Sequence, residues 1–388
     1  MDYGKFSDIR PLNPSEVPAA IAELLQIPEL KATYDALGMS MSWEDLGAHL
    51  EGCDSVDEFK RRVSYHIVKH VMQLTCQRVL LVGTEGLSSE VGYTYVSNHR
   101  DIILDSAFLN VLLYDKGLKF PQVAIGDNLM LAPWVEKLTR LNGNFLVRRS
   151  LQGREVLMAA KQLSEYMHAA VGEGISTWIA QREGRAKDSS DHTQLALLKM
   201  LTLGADTREA VEALRKLNIV PVCCSYEYDP CDYLKAREMQ LKRDDPDYTK
   251  TKEEDGLNMR TGVFGYKGRV YLHTARPLNE VFVEVDWATV PESEHIERIA
   301  RLIDREIHAS YQLYPGNYIA HDLLTGHRSA QYTEEEAATF VAYLDKQLER
   351  IVMPADIVKD TPYLRERILE MYANPLRNYM KATTSTLN

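Results

Sequence analysis

His99 stands in the stretch Ser97-Asn98-His99-Arg100-Asp101-Ile102-Ile103-Leu104-Asp105-Ser106, which supplies two carboxylates, Asp101 and Asp105. Histidine is the side chain most easily poised as a base near neutral pH. A carboxylate beside it can fix its tautomer and stabilise its charged form. Asp105 falls at the start of a predicted helix, where it can cap the helix and face the histidine at once. Asp101 lies in the intervening turn and stays an alternative partner. By itself the stretch reads more readily as a loop leading into a buried helix.

Two further stretches carry cations at strand ends. Gly143-Asn144-Phe145-Leu146-Val147-Arg148-Arg149 is an apolar run closed by adjacent arginines, and guanidinium matches phosphate geometry. Trp178-Ile179-Ala180 opens into a loop holding Arg182, Glu183, Gly184, Arg185 and Lys187. Gly184 would let the backbone approach a ligand closely. A fourth stretch, Ile219–Glu227, reads mainly as a buried strand, with Glu227 either ordering a pocket or standing as a solvated carboxylate.

The elements that must position these groups follow from periodicity. Residues 14–75 are predicted helical: Phe59, Val63, Ile67, Val71 and Leu74 recur every three to four residues, with Asp54 or Ser55 as N-cap. Short β-rich runs follow at 78–83 and 92–97. Helices are then predicted from Asp105 to Tyr114, over 155–171, near 193–203 and over 206–217. Strands are predicted at 143–148, 176–180, 219–226, 261–264 and 268–274, and a charged exposed loop at 240–256. Beyond Pro291 the pattern returns to helices, at 292–313, 333–350 and 361–372. This alternation predicts an α/β fold: a mixed central sheet flanked by helices, with helical additions at both ends. The expected organisation is a helical region 1–75, an α/β domain 76–285 and a helical region 286–388.

Bulk properties narrow the function. A formal charge of −11 over 388 residues argues against nucleic acid as partner, since a duplex binder concentrates basic charge. The local cations suit a pocket for a small anion better. Five cysteines without paired ligand spacing argue against a zinc site and suit a reducing cytoplasm. No window approaches the roughly 18 consecutive apolar residues of a membrane span.

Taken in order, the four stretches resemble the glycerolipid acyltransferase superfamily, which includes glycerol-3-phosphate and 1-acylglycerol-3-phosphate acyltransferases. Asn98-His99 with Asp105 resembles its His-x4-Asp block, although five residues intervene here. GNFLVRR resembles Gly-x-x-Phe-Ile-x-Arg, with Arg149 at the motif arginine. Glu183-Gly184-Arg185 resembles Glu-Gly-x-Arg with one residue fewer, and residues 220–227 resemble a Val-Pro-Val strand ending in Tyr-Glu. Segments YLKAREMQLKR and GRVYLHTARPL are similar to the bacterial glycerol-3-phosphate branch. The resemblance spans about residues 76–280.

The resemblance implies an O-acyltransferase in which His99, oriented by Asp105, deprotonates an acceptor hydroxyl. Arg148, Arg149, Glu183, Gly184, Arg185 and Lys187 would form the substrate site. The implied donor is acyl-CoA or acyl carrier protein, and the acceptor a glycerol-phosphate-type molecule. It implies no metal or other cofactor, and peripheral contact with the inner face of the cytoplasmic membrane. Three alternatives remain: an acyl-thioester or lipid hydrolase using Ser97 or Ser106, an acyltransferase for an amino-acid lipid, and a non-catalytic lipid-binding protein.

Overall fold

A strand buried on both faces cannot alternate polar with apolar, and Ile219–Tyr226 is such a run, with every residue buried. It lies inside a mixed sheet. The computed structural model describes residues 4–130, 132–149 and 151–384, so the extreme ends of both flanking helical regions lie outside it. Among the described residues the strands are β1 Cys76–Val82, β2 Thr94–Ser97, β3 Gln122–Gly126, β4 Phe145–Val147, β5 Thr177–Ala180, β6 Ile219–Tyr226 and β7 Gly268–Thr274. Their spatial order is β1-β7-β6-β2-β5-β3-β4. From β6 through β4 every pairing is parallel, whereas β7 runs antiparallel to β6 and carries β1 parallel to itself. The C-terminal ends of β2, β3, β4, β5 and β6 therefore open on one edge, the usual place for functional loops in such sheets.

The helices before the sheet are α1 Val17–Leu24, α2 Pro28–Ala36, α3 Trp43–His49, α4 Val56–Phe59 and α5 Tyr65–Thr75. Ser55 caps α4, its hydroxyl accepting from the Glu58 amide, and a π-turn over Lys60–Ser64 joins α4 to α5. Between strands run α6 Leu104–Asp115, α7 Pro133–Leu141, α8 Arg154–Gly172, α9 Leu195–Thr202, α10 Ala210–Arg215, α11 Asp232–Asp244 and α12 Lys252–Phe264. After β7 come α13 Leu278–Phe282, α14 His295–Ala309, α15 Pro315–Thr325, α16 Glu334–Glu349 and α17 Thr361–Thr384.

Alternation along the strands divides the core in two. Val96 and Ile219 face the side packed with Met167 of α8, Leu198 of α9 and Ile303 of α14. Tyr95 and Val220 face the other side, with Phe108 and Leu109 of α6 and Val71 of α5. The N-terminal helices bury Val17, Trp43, Leu46 and Phe59 among themselves and against Leu141 of α7.

Four readings change. β3 was not predicted: a run of five residues in mid-sheet shows no period by which to recognise it. The expected strand at 261–264 is the last turn of α12, a helix nucleated by a capping box between Thr251 and Glu254. With α11 reaching Asp244 and α12 beginning at Lys252, the charged stretch 240–256 is mostly helical, its charges spent on pairs such as Arg237–Glu254 and Lys250–Asp255. The expected helix 292–313 ends at Ala309, and α15 follows separately.

The last helices close over α11 around a buried carboxylate. Asp232 is fully buried and accepts from the Tyr343 and Tyr372 hydroxyls at 2.6 and 2.9 Å and from Gln347 Nε2 at 2.5 Å. Burial, with the neighbouring Asp229, pushes its carboxyl up to about 7 against the pull of those donors. The folded chain thus holds this proton more tightly than the unfolded one. Its contribution to stability is complete below about pH 3.8, declines as pH rises through about 7, and is flat above. Replacing Asp232 by Asn removes that titration, so the Tm of wild type relative to Asp232→Asn should fall from pH 4 to pH 7 and level off beyond.

Candidate active site

β2 delivers Asn98 and His99 to the edge where the parallel strands end. Asn98 is fully buried and pins that end to β6: its amide donates to the Cys224 carbonyl at 3.0 Å and its Oδ1 accepts from the Cys224 amide at 2.7 Å. His99 is held from two sides. Nδ1 lies 2.9 Å from Asp105 Oδ2, and the ring meets Trp178 of β5 edge-on at 5.8 Å between centroids. Among the described residues no hydrogen bond engages Nε2. The ring thus has one anchored nitrogen and one open nitrogen, as a general base requires.

The choice between the aspartates follows from the turn. Asp105 Oδ2 accepts from the backbone amides of Arg100 (2.6 Å) and Asp101 (3.0 Å) as well as from the imidazole. Asp101 Oδ1 accepts from the amides of Ile103 (2.9 Å) and Leu104 (2.8 Å). Asp101 therefore ties down the turn that enters α6, and Asp105, the second residue of that helix, partners the histidine. This corrects the expectation that Asp105 does both. Burial and the charge of Asp105 push the Asp101 carboxyl above its ordinary value, against those two amides. The fifth residue between His99 and Asp105 is taken up in that turn. α12 presses on it so closely that Gly262 has no room for a Cβ beside the Asp101 carboxylate.

Behind the turn lies a network that the motif reading missed. Arg100 is buried and pairs with Asp191, Nη1 to Oδ1 at 3.0 Å; Asp191 also accepts from Tyr311 at 2.5 Å and from Asn98 at 3.3 Å. Burial pulls the Arg100 guanidinium down, but Asp191, with Tyr311 and Asp229, outweighs it and holds it above its ordinary value. Lys235 of α11 bonds the Arg100 carbonyl at 3.1 Å and pairs with Asp229. The sequence signal was Asp188-Ser189-Ser190-Asp191 following the basic loop, where Ser189 and Asp191 both take positive φ.

The cationic residues divide. Arg149 reaches across the end of β3, where a Cβ at Gly126 would collide with its guanidinium, and meets Glu183 at 3.7 Å. Gly184 takes φ +66° with open space around it, so its role is the left-handed turn rather than close packing. Arg185 donates Nη2 to Asn258 of α12 at 2.9 Å, while its buried Nη1 has no hydrogen-bond partner among the described residues. Arg148 and Lys187 point elsewhere. Arg148 donates to the Asp8 carbonyl at 2.9 Å, and Lys187 pairs with Glu238 of α11 at 2.5 Å. Glu227 staples β6 to β7 through Arg269, Oε1 to Nη2 at 2.7 Å, which makes it structural. Ser97 is fully buried and accepts from Trp178 Nε1, and Ser106 donates to the Ile103 carbonyl; neither is hydrogen-bonded to His99.

Beside the turn from His99 to Asp105 opens a cavity of about 950 Å³ with an overwhelmingly apolar wall. Ile103, Ala107 and Val111 of α6 form one side at helical spacing; Trp43, Val63 and Met259 represent the others. It lies between the N-terminal helices, α6, α7 and α12.

Residues 78–225 match the family model described as Acyltransferase. Over 134 residues, 34% of the chain, the sequence is 33% identical to glycerol-3-phosphate acyltransferase of Pseudomonas paraeruginosa, and over 93 residues, 24% of the chain, 38% identical to that of Xanthomonas axonopodis pv. citri. The chain spans only 15% and 10% of those proteins. Among solved structures, the 1-acyl-sn-glycerophosphate acyltransferase of Thermotoga maritima aligns over 80% of this chain and 89% of its own. Its 12% identity and TM-score of 0.34 make that likeness too loose to bear on the fold. Among the described residues, no helix is long and apolar enough to cross a membrane.

Proposed function

Since residues 78–225 carry an acyltransferase domain of the glycerolipid acyltransferase superfamily, we propose that the protein transfers a fatty acyl group from a thioester, acyl-CoA or acyl carrier protein, to the hydroxyl of a glycerol-phosphate-type acceptor. The observation that carries this reading is the His99–Asp105 pair, on a turn whose Ile102, Ile103 and Leu104 line an apolar cavity, with Arg149 and Glu183 meeting beyond the ends of β4 and β5. Nε2 takes the proton of the acceptor hydroxyl. The alkoxide oxygen attacks the thioester carbonyl, the C–S bond breaks, and the thiolate leaves and regains a proton. Asp105 holds the imidazole in the tautomer whose Nδ1–H points at the carboxylate, and it stabilises the imidazolium between the two proton transfers.

The cavity supplies the acyl site. Its wall removes hydrocarbon from water at about 25 cal/mol per Å², and the stripe on α6 leads away from the catalytic turn. Arg149, and Arg185 with its unpartnered Nη1, hold the acceptor phosphate and so fix the hydroxyl at Nε2. Such positioning contributes several kcal/mol, on the order of intramolecular reactions. Contact with a membrane surface follows from the lipid product.

Arg149→Ala tests the phosphate assignment. KM for glycerol-3-phosphate should rise about tenfold to a hundredfold with kcat little changed, because the contact is the same in ground and transition states. KM for unphosphorylated glycerol should not move. An unchanged KM for glycerol-3-phosphate and for 1-acylglycerol-3-phosphate removes Arg149 from the phosphate site.

A further inference from the structure

The cavity wall contains one group that a plain hydrocarbon does not need. Lys60 is 5% exposed and is presented to the cavity by the π-turn, a distortion that recurs at functional sites. Its Nζ donates to the Pro121 carbonyl at 3.1 Å and, at 3.4 Å, to Asn110 Oδ1. Among the described residues no carboxylate lies within ion-pair distance of it. An ammonium carries three hydrogens, so at least one remains to be placed. Gly143, at φ +71°, leaves the space that Nζ occupies, and the Phe120 ring lies 5.4 Å away. Burial, only partly offset by Asp57, pulls the amine down to about 8. Holding a cation there costs stability that a methionine of similar length would not cost.

Asn110 lies six residues beyond Leu104 on α6, roughly 9 Å along the helix axis. A chain threaded from the catalytic turn along Ile103 and Ala107 therefore passes Nζ in its middle, well away from the thioester. Resting on the acyl-site reading above, we propose that Lys60 makes this cavity selective for acyl chains bearing an oxygen acceptor at mid-chain, a hydroxyl or keto group. The oxygen takes the unplaced hydrogen of Nζ. A purely structural tie from the N-terminal helices to Pro121 would leave acyl preference unmoved.

The test compares stearoyl-CoA with a stearoyl-CoA hydroxylated at mid-chain, glycerol-3-phosphate being the acceptor. A hydrogen bond to a charged donor predicts kcat/KM higher for the hydroxylated donor by about tenfold. Lys60→Met should erase that preference, bringing kcat/KM for the two donors to about the same value. Equal use of the two donors by the wild type overturns the proposal without any variant having to fold, and so does a preference that survives Lys60→Met. Binding of methyl stearate and its hydroxylated counterpart, followed by calorimetry, reads the same ratio apart from turnover. If neither donor is consumed yet the ratio appears in binding, the acyl-transfer reading has failed and the Lys60 assignment stands; equal binding of the two esters overturns it.

Discussion

His99→Ala should all but abolish acyl transfer while leaving the fold intact. The side chain ends at an open Nε2 and contributes to packing only through its edge contact with Trp178, so its loss removes the base without opening the core. A positioned general base is worth about 10² to 10⁴ in rate, and the residual rate reflects binding and orientation alone. The two aspartates then separate by role. Asp105→Asn keeps the shape but offers the imidazole an ambiguous partner, so kcat should fall by a similar factor at unchanged Tm. Asp101→Asn keeps an acceptor oxygen for the Ile103 and Leu104 amides and removes a buried charge beside Asp105, so it should spare both Tm and most of kcat. Steady-state kinetics beside thermal melts reads both. A larger kcat loss for Asp101→Asn than for Asp105→Asn would reverse the assignment.

The second large effect is structural. Arg100→Met strands Asp191 as a buried carboxylate that had been paired with the guanidinium, and breaking such a pair costs about 3–5 kcal/mol. Tyr311 and Asn98 still donate to Asp191, which places the loss toward the lower part of that range. Because Arg100 and Asn98 flank His99, the loss should spread to activity, with kcat falling at temperatures where the variant is still folded. Asp191→Asn strands the buried Arg100 guanidinium in turn, so it should cost a similar amount, eased by the Tyr311 bond that an amide oxygen keeps. Differential scanning calorimetry with kinetics at a common low temperature measures both. Tm values for Arg100→Met within a degree of wild type would show that the pair carries no stability.

These two predictions mark what the sequence could and could not disclose. His99 and Arg149 were legible because their chemistry is rare at strand ends and because flanking apolar runs fix the strands. Asp105 was read as the carboxylate partner from its place before an apolar helix, with Asp101 as the alternative, and the 2.9 Å contact with His99 agrees; the spacing alone says nothing about which oxygen receives the amides of a turn. That decision lies in how Asp101 ties down the turn into α6, a local backbone matter. Arg100 passed unnoticed because its partner is 91 residues away. Arg148 and Lys187 read as phosphate ligands from their neighbours in sequence, yet each spends its charge on another element.

The fold divides the same way. The mixed sheet with helical flanks followed from alternating periods, while β3 and α12 were lost for opposite reasons. β3 is too short to show a period, with only Val123 and Gly126 of its five residues fully buried. α12 is so charged that its polar face hid the Met259 and Val263 that line the cavity. Lys60 carried no signal at all, because a lysine in an apolar helix is ordinarily a solvated one. Only its burial within the cavity wall reveals it.

The central claim is that the His99 edge moves an acyl group onto a glycerol-phosphate hydroxyl. The direct measurement incubates the protein with radiolabelled acyl-CoA or acyl carrier protein, with and without glycerol-3-phosphate or its 1-acyl derivative, and resolves labelled products. The expected result is label in the acylated acceptor, only when acceptor is present and not with His99→Ala. Free fatty acid released at one rate with or without acceptor would contradict it.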